Sequence, residues 1–344
     1  MNTAHKPLRV GLIGAGWVTQ HHLAGWQHHA ARARVVAITD PNAAQAQARA
    51  SAFGIDQVFE SAEQMLAQGH LDAIDIAAPR EHHAALVRLA AHHGLPVLCQ
   101  KPLAPTYEEA CVLVADTESR IRLMVHENWR FRPYYRQIHQ WLKAQRIGPV
   151  LQVSMSLMTS GLIADAQGQQ GKYPALERQP FLATLQRALV MEILIHHIDT
   201  LRFLLGDLRL VYARLGQGCT AMAGEDRASL VFESRDGACV TLMANLRVWG
   251  EPAIKPDELL LVGESGSIRL SGNSLSCQGE RPVENSFETY DLAACYTESY
   301  AATIGHFIDG LSDGKPFETN PQDNLQTLRL VEEIYSAAGC QLAW

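Results

Sequence analysis

An apolar run, Leu8 to Ile13, breaks at Gly14 and Gly16 and passes at once into helix-compatible sequence, LRVGLIGAGWVTQHHLAGW. No feature of the chain restricts its fold more than this strand, turn and helix. Glycines at both positions let the backbone turn sharply and approach a pyrophosphate, whose charge rests on the N-terminus of the following helix. Gly14, Gly16, Trp17 and Val18 are the candidate cofactor contacts of this turn. Thr19 stands where the three-glycine fingerprint has its last glycine. A second apolar run, RVVAIT, ends on Asp40, roughly 20 residues past the glycines, where a carboxylate can accept hydrogen bonds from the adenosine ribose hydroxyls. The competing role for Asp40 is N-cap of the alanine-rich helix that follows. Asp40 would repel a 2′-phosphate, and Pro41 and Asn42 bring no compensating cation, so NAD is expected in preference to NADP.

The alternation continues through LDAIDIAAP, a helix over REHHAALVRLAAHHG, the strand LPVLCQ, a helix over TYEEACVLVADTES and the strand IRLMVHEN. Strands separated by helix-length segments imply crossovers and a parallel sheet, here over residues 1–126. Ligands collect at the carboxyl ends of such strands, and Pro79 and Lys101 sit at two of those ends. In PVLCQKPLAP, Lys101 is either the soluble end of a strand or a group aimed at a nicotinamide ring.

After Asn128 the pattern changes. VLQVSMSLM, LVYARLG, RASLVFESRDGACVTLMANL, DELLLVGESGSIRLSG and SLSCQG are strand-like runs joined by short turns, which indicates an antiparallel sheet with SRDG and GESG as hairpin loops. A long polar loop, SGLIADAQGQQGKYPALERQP, precedes a helix expected around 183–205, and loops of that length in a compact domain are commonly functional. On that helix Glu192, His196, Asp199 and Phe203 share one arc. Glu192 and His196 are i,i+4 neighbours: a carboxylate holding one imidazole nitrogen fixes the tautomer and raises the basicity of the other, which suits proton abstraction from an alcohol. A solvated Glu/His pair is the bland alternative.

At 344 residues two domains are expected. A formal charge of −7 without a basic patch argues against a nucleic-acid surface. No apolar run approaches membrane-spanning length, and the N-terminus has no signal-peptide pattern. The seven cysteines lack CxxC spacing and fit reduced thiols in a cytoplasm. The paired histidines at 21, 28, 82, 92 and 196 lack metal-ligand spacing, so solvated helix faces are expected and no metal is assigned.

Together these motifs resemble the Gfo/Idh/MocA oxidoreductases over nearly the whole chain. QKP looks like that family's Glu-Lys-Pro, with Lys101 and Pro102 matching and Gln100 departing. APREHH is similar to Pro-Asn-x-x-His, matched at Pro79 and His83, with Arg80 in place of asparagine. ENWRFRP resembles Asn-x-Arg-Phe-x-Pro and marks Asn128 and Arg130; Glu192 and His196, with Asp199 three residues on, look like its Asp-x-x-x-His. The segment from Arg178 to Gly206 looks most like the branch containing D-apiose dehydrogenases. The resemblance implies a Rossmann domain (1–126) followed by an open-faced, mainly antiparallel substrate and oligomerisation domain (127–344). It also implies NAD-dependent oxidation of a sugar or polyol hydroxyl, D-apiose to its lactone in that branch, by a homodimer or homotetramer. Lys101 and His196 are the catalytic candidates, with proton acceptor and charge stabiliser interchangeable between them and Glu192 polarising His196. Asn128, Arg130, Arg187 and Asp199 are candidate substrate contacts, with structural salt bridges the alternative for each arginine. The rival function is an inactive NAD-binding metabolite sensor, for which Gln100 and the absent third glycine speak.

Overall fold

A computed structural model describes residues 6–164, 171–280 and 285–339. Residues 165–170 of the expected polar loop, and Cys340, lie outside the described residues. The chain divides into two compact units, Met1–Arg132 with Ala294–Leu328, and Pro133–Ala293 with Arg329–Trp344.

The first unit is built on β1 (Leu8–Ile13), α1 (Thr19–His28), β2 (Ala33–Thr39), α2 (Ala43–Phe53), β3 (Gln57–Phe59), α3 (Ala62–Gln68), β4 (Ala73–Ile76), α4 (His83–His92), β5 (Val97–Gln100), α5 (Tyr107–Thr117) and β6 (Leu123–His126). The six strands run parallel in the order β3-β2-β1-β4-β5-β6, the doubly wound arrangement whose order reverses between β1 and β4. β4 is buried along its whole length, which explains why these strands read as continuous apolar runs and not as alternation. Helices cover both faces. Val10 and Leu12 cluster with Trp26 and Leu23 of α1, whereas a Cβ on Gly11 would meet Leu71 and Met65 on the other side. The short β3 and the helix α3, capped by Ser61 accepting from Gln64 N–H, were not anticipated from sequence.

The second unit comprises α6 (Pro133–Lys143), β7 (Val150–Met158), α7 (Pro174–Arg178), α8 (Ile195–Leu205), β8 (Leu208–Gly216), β9 (Arg227–Ser234), β10 (Cys239–Asn245), β11 (Glu258–Gly263), β12 (Gly266–Ser271), β13 (Ser274–Gly279) and β14 (Ser286–Thr289). Its eight strands lie in the order β14-β13-β12-β11-β7-β10-β9-β8, antiparallel except for the parallel pair β7 and β10. SRDG and GESG are the expected hairpin loops, with Gly237 at φ +87° in the first. Across the sheet Ala213, Leu230, Leu242, Met155, Leu259, Leu270 and Leu275 stand opposite one another in sequence of strands, and all are buried. The reverse face carries Tyr212, Val231, Thr241, Ser154, Leu260 and Arg269 in a matching row, each at least partly exposed.

Two C-terminal helices complete the chain, α9 (Leu292–Asp313) and α10 (Pro321–Gly339). The expected division placed everything after residue 126 in the second domain. Ile304, Phe307 and Ile308 of α9 instead join Val10, Trp26, Leu98 and Phe131 in the core of the first unit, because their apolar face fits against the sheet beside α1.

Candidate functional site

The turn after β1 is held by its own backbone and by Asp40. Gly14 has φ +112° and donates to Thr39 O at 2.8 Å, and a Cβ there would lie 2.6 Å from Ala77 O, so only glycine fits. Around Gly16 a Cβ would meet nothing within 4 Å, which leaves a bare surface that a diphosphate can approach. Thr19, where the fingerprint has its third glycine, is buried and donates its hydroxyl to Gly16 O at 2.6 Å, so the side chain braces the turn from within. α1 then begins with no side-chain cap and no acidic residue in its first turn. Its end is thus open to an anion. Val18 sits at that N-terminus, and Trp17 is half exposed with its ring edge-on to His21 at 4.8 Å. Burial is the largest cause lowering the pKa of His21 from its ordinary value, and the charge of Arg49 acts in the same direction.

Asp40 accepts from Ala15 N–H at 2.7 Å and from Asn42 N–H at 2.8 Å, one on each carboxylate oxygen. The N-cap of α2 is Asn42, whose side chain accepts from Gln45 N–H, so Asp40 is not the helix cap. It is part-exposed beside the glycine turn, and these residues fit an adenosine ribose and pyrophosphate. Arg49 of α2 reaches the same turn, its guanidinium donating to Gly16 O at 3.1 Å. Pro41 and Asn42 bring no cation, as expected, and Arg49, on the following helix, is a cation that the sequence reading did not weigh.

The ends of β4 and β5 are tied together. Buried His83 places Nε2 2.9 Å from Ala78 O and Nδ1 2.8 Å from Pro102 O, so both ring nitrogens face backbone carbonyls and Pro79 is left exposed beside them. Lys101, part-exposed at the end of β5, donates its backbone N–H to Gln100 Oε1 at 2.7 Å. Behind it Gln100 Nε2 lies 3.1 Å from His22 Nε2, and His22 Nδ1 lies 2.9 Å from Asp75 Oδ2. Glu127, buried at the end of β6, has its carboxyl raised from the ordinary value by burial, opposed by the Trp129 N–H and by the charges of Lys101, Arg130 and Arg132. Asn128 donates to Ser299 Oγ at 2.7 Å, and Arg130 pairs with Asp323 at 2.7 Å; both are buried. Arg130 thereby secures the start of α10 within the first unit, which is the structural alternative weighed for it.

In the second unit the expected helix around 183–205 is interrupted. A short 3₁₀ turn at Pro180–Ala183 and a π-helical turn at Leu189–Leu194 precede α8. The π turn widens the spacing, so Glu192 and His196 do not belong to one regular α-helix as the 100° arc assumed; such turns recur at functional sites. Glu225 caps its start: its carboxylate accepts from Val190 N–H at 2.9 Å, Ala188 N–H at 3.3 Å and Tyr335 OH at 2.6 Å. Tyr335 OH also accepts from Met191 N–H at 3.2 Å, and burial, followed by Glu225, pushes its phenol well up. Arg187 pairs with Glu332 at 2.7 Å and lies over the Tyr335 ring. Glu192 is half-buried, while His196 and Asp199 are buried. Phe203, on the same helix, stacks on His139 of α6. His197 Nε2 lies 2.8 Å from Asp257 Oδ1, and Tyr135 donates to the other oxygen, which anchors α8.

The paired histidines divide: His28, His82, His92 and His93 lie on solvated faces as expected, whereas His22, His83, His196 and His197 are buried on the inward side of their helices. Among the described residues no cluster of His, Cys, Asp or Glu could hold a metal ion, and no helix is long and apolar enough to cross a membrane. Sequence reading missed Asp75, His22, Arg49 and Glu127. Asp75 carried a visible signal, since a carboxylate inside a buried strand requires partners; for Arg49 and Glu127 there was none.

Comparison with known proteins adds to this geometry. Residues 8–127 match the model of an oxidoreductase family with an NAD-binding Rossmann fold, and residues 135–269 match the GFO/IDH/MocA C-terminal domain. A D-apiose dehydrogenase from Paraburkholderia graminis is 30% identical over 98% of this chain and 89% of its own length. An inositol 2-dehydrogenase from Rhizobium meliloti is 26% identical over 94% and 95%. The crystal structure of an oxidoreductase from Agrobacterium radiobacter in complex with NAD+, L-tartaric acid and magnesium superposes with a TM-score of 0.88 at 28% identity, covering 97% of each chain.

Proposed function

Because this chain belongs to the Gfo/Idh/MocA oxidoreductases, with an NAD-binding Rossmann domain, we propose that it oxidises a ring hydroxyl of an aldose, D-apiose or a close relative, to the lactone. The observation that carries the reading is the pairing, in one parallel sheet, of an anion-ready glycine turn after β1 with a braced lysine at the end of β5. NAD, when bound, supplies the nicotinamide ring that accepts the hydride from the carbinol carbon.

The protein's own share is to place the hydroxyl, remove its proton and keep the developing charge tolerable. His196 takes the hydroxyl proton, Glu192 favours its protonated form, and Lys101 orients the oxygen and stabilises alkoxide character. Gly14, Gly16, Val18 and Trp17 receive the pyrophosphate side of the cofactor, and Asp40 takes the ribose hydroxyls. His83 acts behind Pro79, holding the β4 and β5 ends together. Asn128 and Arg130 shape the first unit, while Asp199 and Arg187 flank the π turn. The thiols of Cys99, Cys111, Cys219 and Cys239, which form no disulfide, support a reducing cytoplasm as the site of the reaction.

Incubation with NAD and a panel containing D-apiose, other aldoses, inositols and polyols tests the proposal, with appearance of reduced cofactor as the signal. An aldose should give the highest kcat/KM. Lys101→Met and His196→Ala should each cut kcat by roughly 10²-fold or more while NAD still binds. Tight NAD binding with no turnover of any hydroxyl compound would establish the sensor instead.

A further inference from the structure

We infer that Asp75, His22 and Gln100 form a charge-matched relay that positions Lys101, in which glutamine at 100, in place of the glutamate of related motifs, keeps His22 neutral. The inference deepens the dehydrogenase reading and rests on Lys101 acting at the substrate hydroxyl.

Donors and acceptors fix the orientation of each group in turn. The Lys101 backbone N–H lies 2.7 Å from one end of the Gln100 carboxamide, and because an N–H needs an acceptor, that end is Oε1. The other end, Nε2, is then the atom 3.1 Å from His22 Nε2. An amide nitrogen only donates, so His22 Nε2 accepts with its lone pair and carries no proton. The one imidazole proton therefore sits on Nδ1, between Asp75 Oδ2 at 2.9 Å and Oδ1 at 3.1 Å. Trp26 Nε1 donates to the same carboxylate at 2.7 Å. The side chains of His22 and Asp75 have no exposed surface, so water does not compete for these groups. His22 also stands on α1, the helix that opens at the glycine turn, so the relay links the cofactor-facing helix to the lysine.

A glutamate at position 100 would place a carboxylate oxygen against the His22 Nε2 lone pair. That contact becomes favourable only when His22 takes up a second proton and stands as imidazolium between two carboxylates. Proton counting gives the relay one net negative charge with Gln100 and neutral His22, and the same charge in Gln100→Glu with His22 as imidazolium. The glutamine form reaches it without depending on pH. The other groups facing His22 are His126 of β6, stacked at 4.1 Å, Tyr300 of α9 at 5.5 Å, and His21 on its own helix, with Arg49 beyond it. Cys99 of β5 faces Asp75, and burial holds its thiol well up. Among these, Asp75 is the carboxylate.

Nitrogen NMR of the full-length protein labelled at histidine reads the relay directly, with the His22 signals assigned by their loss in His22→Asn. Neutral His22 with its proton on Nδ1 is expected at pH 7. An Nε2–H tautomer or an imidazolium would overturn the inference, whether or not any substrate is turned over. In Gln100→Glu the same nucleus should report imidazolium. After a melting scan and an NAD titration confirm an intact fold, the kcat of that variant should require one additional proton, falling with rising pH where wild type is flat, with little change in KM. Superimposable pH profiles would also overturn it. If Gln100→Glu fails to fold, Gln100→Met should lower kcat by roughly 10-fold to 100-fold with NAD affinity retained, and unchanged kcat would refute the positioning role. Absence of turnover in wild type would count against the dehydrogenase reading alone.

Discussion

At the scale of single residues, cofactor choice depends on a balance between Asp40 and Arg49. Both reach the glycine turn, one as a carboxylate and the other as a guanidinium. Wild type should bind NAD more tightly than NADP, and Asp40→Ser should narrow the gap by about tenfold or more, ~1.4 kcal/mol. Adding Arg49→Ala to that variant should return part of the gap, because Arg49 is a cation that reaches the same glycine turn as the vacated carboxylate. Titration of both cofactors against the three proteins checks this. Glu127 offers a second test. Burial raises its carboxyl above the ordinary 4.5, against the pull of Trp129 N–H, Lys101, Arg130 and Arg132. A carboxyl raised on folding binds its proton more tightly in the native state, so it costs stability above its folded pKa and ceases to cost as pH falls below the ordinary value. Glu127→Gln should therefore gain melting temperature over wild type as pH rises from 4.5 upward. An advantage confined to acid pH would show the direction to be wrong.

At the scale of elements, the π turn at Leu189–Leu194 is held by side chains distant in sequence. Glu225 from the loop before β9 and Tyr335 from α10 satisfy the backbone N–H groups of Ala188, Val190 and Met191 at its N-terminal end, which have no partner within the turn. Tyr335→Phe removes a donor from a buried carboxylate and an acceptor from Met191 N–H, a loss of about 1–3 kcal/mol. Denaturant unfolding should show that loss. Because His196 follows directly on the turn, kcat should fall as well, and equal stability and kcat in the variant would show that the turn holds itself.

At the scale of the whole molecule, the eight-stranded sheet has one face of buried aliphatic residues and another bearing Tyr212, Val231, Leu260 and the exposed Met243. The apolar side chains of this second face, interleaved with Thr241, Ser154 and Arg269, offer a second copy a mixed apolar and polar surface of the kind found at interfaces. The protein should sediment as a dimer or tetramer at micromolar concentration, and Val231→Lys with Leu260→Lys should shift it towards single chains without changing NAD affinity. A single sedimenting chain in wild type would contradict this.

Within residues 8–126 the strands β1, β2, β4, β5 and β6 and the helices between them, except β3 and α3, were readable, because a parallel sheet buried on both faces demands apolar runs, and at Gly14 the positive φ and the close Ala77 carbonyl leave room for glycine alone. The hairpins of the second unit were readable for the same local reason, through alternation and the SRDG and GESG turns. Local chemistry also marked Gly16, Asp40, Lys101 and His196 as candidate positions. What tertiary structure alone decided were the partners. Asp75 meets His22 across 53 positions, Gln100 meets His22 across 78, and α9 closes a core that begins at Val10. Periodicity reports which side of an element is buried but not which distant group waits there, so the π turn, the buried histidines and the Gln100 relay follow from contacts that only the folded chain brings together.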